Sequence, residues 1–86
     1  MKIETLSRKV KQIIDDTLML PSQGSGYSEA IHLSELGATQ ADIGDIVLSC
    51  ENKFDVEFPE GWINDGKEKT PRDVIDTICE LKDIVR

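Results

Sequence analysis

A chain that does chemistry needs an activated hydroxyl or thiol, a set of metal ligands at workable spacing, or carboxylates in a fixed register. The candidates here are Ser34, Thr39 and Ser49, the thiols of Cys50 and Cys79, the single histidine His32, and the acidic groups around Asp42 and Asp65. No Ser-His-Asp or Cys-His signature surrounds His32, which reads as a surface or loop-packing residue. Each cysteine falls on or beside an apolar helical stripe, where a free thiol behaves as a small hydrophobe, and no further ligands lie near enough in sequence to suggest a metal. The run Asn64-Asp65-Gly66-Lys67-Glu68 has a trace of a calcium loop, but Asp55, Glu57 and Trp62 do not supply alternating oxygen ligands over the required register, so a turn is expected. Trp62 could anchor a partner; a single tryptophan in a small helical protein more often fills the edge of the core. No nucleophile–base pair emerges, so no catalytic residue is assigned and the chain is not expected to be an enzyme.

The elements that would carry these residues follow from periodicity. Between residues 2 and 20, Ile3, Leu6, Val10, Ile13, Ile14 and Leu18 recur at the three-and-four spacing of one helical face, with Lys2, Glu4, Arg8, Lys9, Lys11, Asp15 and Asp16 on the wet side. Pro21 should stop this helix. Residues 21–26 are turn chemistry, and Tyr27, Ala30, Ile31, Leu33 and Leu36 can lay the rest of a long connection over the core, with one helical turn around residues 28–33.

Thr39 is placed to cap a helix starting at Gln40, because its hydroxyl can accept the Asp42 amide while the acidic side chain favours the positive end. Ile43, Ile46, Val47, Cys50 and Phe54 form the buried stripe, Leu48 lies at its edge, and Asp42, Asp45, Ser49 and Asn52 face outward. Gly44 costs such a helix about 1 kcal/mol against alanine, which implies either close approach of another element or a need for flexibility. Residues 54–58 alternate apolar and polar without a partner strand, so an extended linker is expected. Residues 59–66 hold at most a short helical turn anchored by Trp62 and Ile63. Thr70-Pro71-Arg72-Asp73 then opens a last helix to about Ile84, burying Val74, Ile75, Ile78, Leu81 and Val85. The expected fold is all-α: a small four-helix bundle of three main helices plus one short one, with a long first loop, in a single domain over residues 1–86.

Leu36-Gly37-Ala38, the following apolar helix and its exit through Glu51-Asn52-Lys53-Phe54-Asp55-Val56-Glu57-Phe58-Pro59 resemble an acyl carrier protein. In that family the loop runs Leu-Gly-Ala-Asp-Ser-Leu and the serine holds a phosphopantetheine arm; here the last three positions are Thr39, Gln40 and Ala41. An amide cannot make the attack on a diphosphate that attachment needs. Gln40 therefore occupies the attachment position without its nucleophile, and no cofactor is expected. Thr39 lies one residue early with its hydroxyl committed to capping, while Ser34 and Ser49 fall outside the family's geometry. The resemblance implies a carrier-type bundle and a docking face on the second helix formed by Thr39, Gln40, Asp42, Ile43, Asp45, Ile46 and Glu51, presented to basic patches on fatty-acid or polyketide-type enzymes. Two alternatives stand beside it: a working carrier with a relocated attachment residue, which would carry phosphopantetheine, and a helical interaction domain with an unrelated partner.

Composition bounds these readings. With 17 acidic against 10 basic residues, a formal charge of -7 argues against nucleic acid and for a partner with a basic surface. The start of the chain mixes charge with periodic apolar residues and has no run long enough for a signal peptide or a membrane span. Two cysteines in apolar patterns do not make a disulfide framework. A reduced, cytoplasmic, monomeric protein is expected.

Overall fold

The computed structural model describes residues 2–20 and 28–84, and within them all regular structure is helical: α1 (Ile3–Leu18), a short 3-10 helix (Leu33–Leu36), α2 (Gln40–Phe54) and α3 (Pro71–Leu81). The expected loop over residues 21–26, Tyr27 and the burial of Val85 lie outside the described residues. The periodic apolar positions of the three α-helices meet in one core, in which Leu6, Val10, Ile14, Ile46, Cys50, Val74, Ile75 and Ile78 have no exposed surface. Burying such stripes against one another is what makes these helices stable in water, since helices this short hold poorly alone.

Local signals set where the helices begin. Both α2 and α3 open on a complete capping box: Thr39 Oγ1 accepts the Asp42 amide at 3.2 Å while Asp42 Oδ2 accepts the Thr39 amide at 2.9 Å. The same exchange joins Thr70 and Asp73, with Pro71 in the first turn. Glu29 ties the connection to two helices, its carboxylate accepting from Ser7 Oγ at 2.8 Å and lying 3.6 Å from Lys11 Nζ, its carbonyl accepting the Arg72 amide at 3.0 Å.

Several expectations are corrected. The first helix ends at Leu18 rather than at the proline, because Met19 turns left-handed (φ 56°) and the Leu20 amide closes onto the Asp15 carbonyl at 2.9 Å. This is the backbone closure that commonly satisfies a helix's last carbonyls. Asp15, placed on the wet side by periodicity, is only 4% exposed. A single turn closed by the Ile31 amide on the Ser28 carbonyl at 3.2 Å lies within residues 28–33, a short helix that the sequence does not announce follows it at Leu33–Leu36, and residues 59–66 hold successive turns and no helix. The last helix stops at Leu81, not Ile84: Asp83 adopts φ 56° and swings Ile84 back against the core, leaving Leu81 substantially exposed rather than buried. Gly44 has open space around it, since a Cβ built there would meet nothing within 4 Å, so no close approach of another element explains it.

The α2 stripe is as its spacing indicates: Ile43, Ile46, Val47, Cys50 and Phe54 are its buried residues, and Leu48 is exposed. Beyond the helix Asp55 turns left-handed, Lys82 Nζ donates to the Phe54 carbonyl at 2.8 Å, and residues 56–59 form no regular element. No described helix is long and apolar enough to cross a membrane.

Candidate functional site

The start of α2 is where the sequence reading converges, and four short pieces of chain meet there. The 3-10 helix ends at Gly37 (φ 93°), whose amide bonds the Ser34 carbonyl at 3.1 Å, while the Ala38 amide bonds Leu33 at 3.1 Å. Left-handed backbone of this kind favours glycine, and the turn delivers Thr39 and Gln40 to the first turn of α2. Thr39 serves as the cap. Its hydroxyl accepts a backbone amide from within the helix, which is the role that its position indicates.

Gln40 is exposed, yet its side chain is not idle. Nε2 donates to the Ile63 carbonyl at 3.0 Å and to Asn64 Oδ1 at 3.2 Å, tying the helix start to the turns that follow Pro59. Beside this tie opens a cleft of about 440 Å³, walled by Ala38, Ile43 and Ile63 and rimmed by Ser34, Lys67 and Glu68. Glu68 closes one rim, its Oε2 accepting from Ser34 Oγ at 3.0 Å and lying 2.9 Å from His32 Nδ1. A carboxylate shared between a hydroxyl and an imidazole is not a nucleophile–base–orienter relay, in which the histidine would stand between the other two.

The far side of the same loop is built on Lys69. It is 7% exposed, its ammonium bonds Asp65 Oδ2 at 2.6 Å and lies 4.4 Å from the centre of the Trp62 ring. Trp62 packs edge-on against Phe58 with ring centres 5.0 Å apart and donates its indole N–H to Thr77 Oγ1 at 3.1 Å, so it sits at the core edge. The Lys69 hydrogen bond and the Lys67 amide hold the Asp65 carboxyl below its ordinary range. Asp65 thus organises a turn and a buried lysine. Among the described residues no group of three or more His, Cys, Asp or Glu is arranged to hold a metal ion.

The residues expected on the docking face divide. Asp45 is exposed, Thr39 and Gln40 are exposed at the helix start, and Asp42 is committed to the capping box. Glu51 turns toward the exit from α2, where its Oε2 accepts the Phe58 amide at 2.8 Å. Ile43 and Ile46 are corrected: at 9% and 0% exposure they face the core, where their places in the apolar stripe put them, and they support the face from beneath. Cys50 and Cys79 are free thiols in the core; burial, helped by the neighbouring Glu51, pushes Cys50 up to about 12.

Sequence reasoning missed Lys69 and the partners of Gln40, Ile63 and Asn64. A lysine following Glu68 reads as a solvated charge, and nothing in spacing announces that Trp62 and Asp65 enclose it. No protein-family model matches the chain, and no solved structure matches it significantly.

Proposed function

We propose that this chain is an acyl-carrier-like docking or regulatory module that carries no prosthetic arm. It keeps a carrier-type four-helix framework and meets cytoplasmic acyl-processing enzymes, of fatty-acid or polyketide type, through the α2 face. The observation that carries the reading is the state of Gln40. It stands where the resemblance places the tethering serine, at the first position of α2 directly after Leu36-Gly37-Ala38 and the Thr39 cap, and its amide is engaged with Ile63 and Asn64. A helix start normally favours an incoming phosphate through its amides and dipole. Here the residue that would have to attack is an amide already bonded within the fold, and the neighbouring hydroxyl caps the helix. What remains is surface: Asp45 exposed at mid-helix, the α2 start, and a net acidic charge that speeds encounter with a basic partner. The module works by contact, and the chemistry belongs to the partner.

Intact-mass measurement after incubation with coenzyme A and a broad-specificity phosphopantetheinyl transferase tests this. The native chain should gain nothing, and Gln40→Ser should gain one arm if the recognition surface has been kept. A native chain that gains one arm, lost again on replacing a single serine or threonine, would instead be a carrier with a relocated attachment residue.

A further inference from the structure

Residues 62–69 form a short loop with its two ends clamped together, because the Lys69 ammonium rests on the Trp62 ring and both ends are rooted in the fold. Trp62 is held by Thr77 and Phe58. Lys69 is buried, and its carbonyl accepts the Leu33 amide at 2.8 Å. Between these roots the chain lines one side of the cleft at the start of α2 and turns at Gly66, where φ is 80°. Loops of this kind, with ends close together, are compact surface units packed by their own side chains.

Within the loop Asp65 bonds the Lys69 ammonium and the Lys67 amide, and beyond these the tip has few ties. Ile63 and Asn64 are held to α2 by Gln40 Nε2, and Glu68 is held to the connection by Ser34 and His32, all of these groups except Ile63 being exposed. We infer that residues 63–68 are a flap forming one side of the cleft, that Gln40 is its latch, and that release of the Gln40 amide widens the way to the apolar floor at Ala38 and Ile43. The inference does not depend on what docks there, since the latch is wholly intramolecular.

The chemistry of the latch gives it a distinctive signature. Replacing Gln40 by glutamate keeps the shape but presents an oxygen to the Ile63 carbonyl, turning an attraction into a repulsion. The same change places a negative charge in the first turn of α2, where the helix dipole favours it. A latch role thus predicts opposite effects on flap and helix, whereas a residue that merely supported α2 would move both together.

Gln40→Ala and Gln40→Glu in the whole chain, followed by amide solvent exchange in solution NMR and by thermal unfolding, decide it. Loss of the two Gln40 hydrogen bonds should quicken exchange at residues 63–67 by about fivefold or more in Gln40→Ala. Gln40→Glu should exceed that, with α2 amides unchanged or slower, the midpoint unchanged or higher, and the Trp62 indole N–H unmoved. Flap exchange that stays at the native rate in both variants overturns the inference. So does faster exchange spread equally over the flap, α2 and the core.

Discussion

Leu33 is the place where the connection between α1 and α2 becomes part of the core. It belongs to a 3-10 helix of one turn, yet it has no exposed surface, its amide bonds the Lys69 carbonyl at 2.8 Å, and its carbonyl receives the Ala38 amide. Leu33→Ala keeps both backbone bonds and removes only side-chain atoms, so its cost is the lost transfer energy plus the cavity left behind. For a fully buried leucine that is about 2–5 kcal/mol. A domain of this length has roughly 4–13 kcal/mol in total at about 0.05–0.15 kcal/mol per residue. The substitution should therefore remove a large share of the stability, and with a urea slope near ~1 kcal/mol/M the unfolding midpoint should fall by about 2 M or more. Leu48→Ala is the internal control: at 57% exposure it should stay within about 0.5 kcal/mol of the native chain. Urea titrations of the three proteins followed by far-UV circular dichroism make the comparison. Equal midpoints for Leu33→Ala and Leu48→Ala would show that the connection is not packed as described, and the account of how the cleft is walled would fall with it.

Other consequences are as direct. Gly44 lies mid-helix with open space where a Cβ would stand, so Gly44→Ala should raise stability by about 0.5–1 kcal/mol, readable as a higher urea midpoint. Thr70→Ala removes the acceptor for the Asp73 amide and should cost about 1 kcal/mol in the same titration. Cys50 is raised from 9.0 to about 12, so its contribution is fully present below about pH 9 and is lost as pH rises toward 12; comparing the native chain with Cys50→Ala at about pH 8 and about pH 10.5 should show the steeper fall in the native chain. Asp65 has the opposite sign. Its folded value lies below the ordinary 3.8, so its contribution is present above that value and disappears as pH falls beneath it, and Asp65→Asn should flatten the acid limb of the stability curve.

The helical class was legible because the signals that set it are local. Thr39 with Asp42, and Thr70 with Pro71 and Asp73, specify a helix start from within one turn, and the α2 stripe is a property of spacing alone. Ends were less legible than starts. Met19 and Asp83 leave the helix in left-handed geometry without a glycine to announce it, and Ile84 competes with Leu81 for cover in a way that only the packed neighbours decide. Periodicity puts Asp15 on the wet side, where charge normally lies, and it assigns Lys69 no place. The burial of Lys69 depends on Trp62 and Asp65 folding around it, which no single stretch of sequence contains.

The candidate site shows the same division at higher resolution. A substitution can be read from a sequence as a loss, and Gln40 reads that way: an amide stands where the resemblance calls for a hydroxyl. What the amide gains instead cannot be read, because its partners lie far along the chain and one of them is a backbone carbonyl, which has no sequence identity at all. A glutamine reaches the Ile63 carbonyl only because its side chain is longer than that of serine by the atoms that carry the donor. The side chain therefore supplies a crosslink that serine could not make. On the proposed reading, placing a hydroxyl there by Gln40→Ser should exchange one property for the other: a group able to be modified, and a loop that has lost its tie to the start of α2.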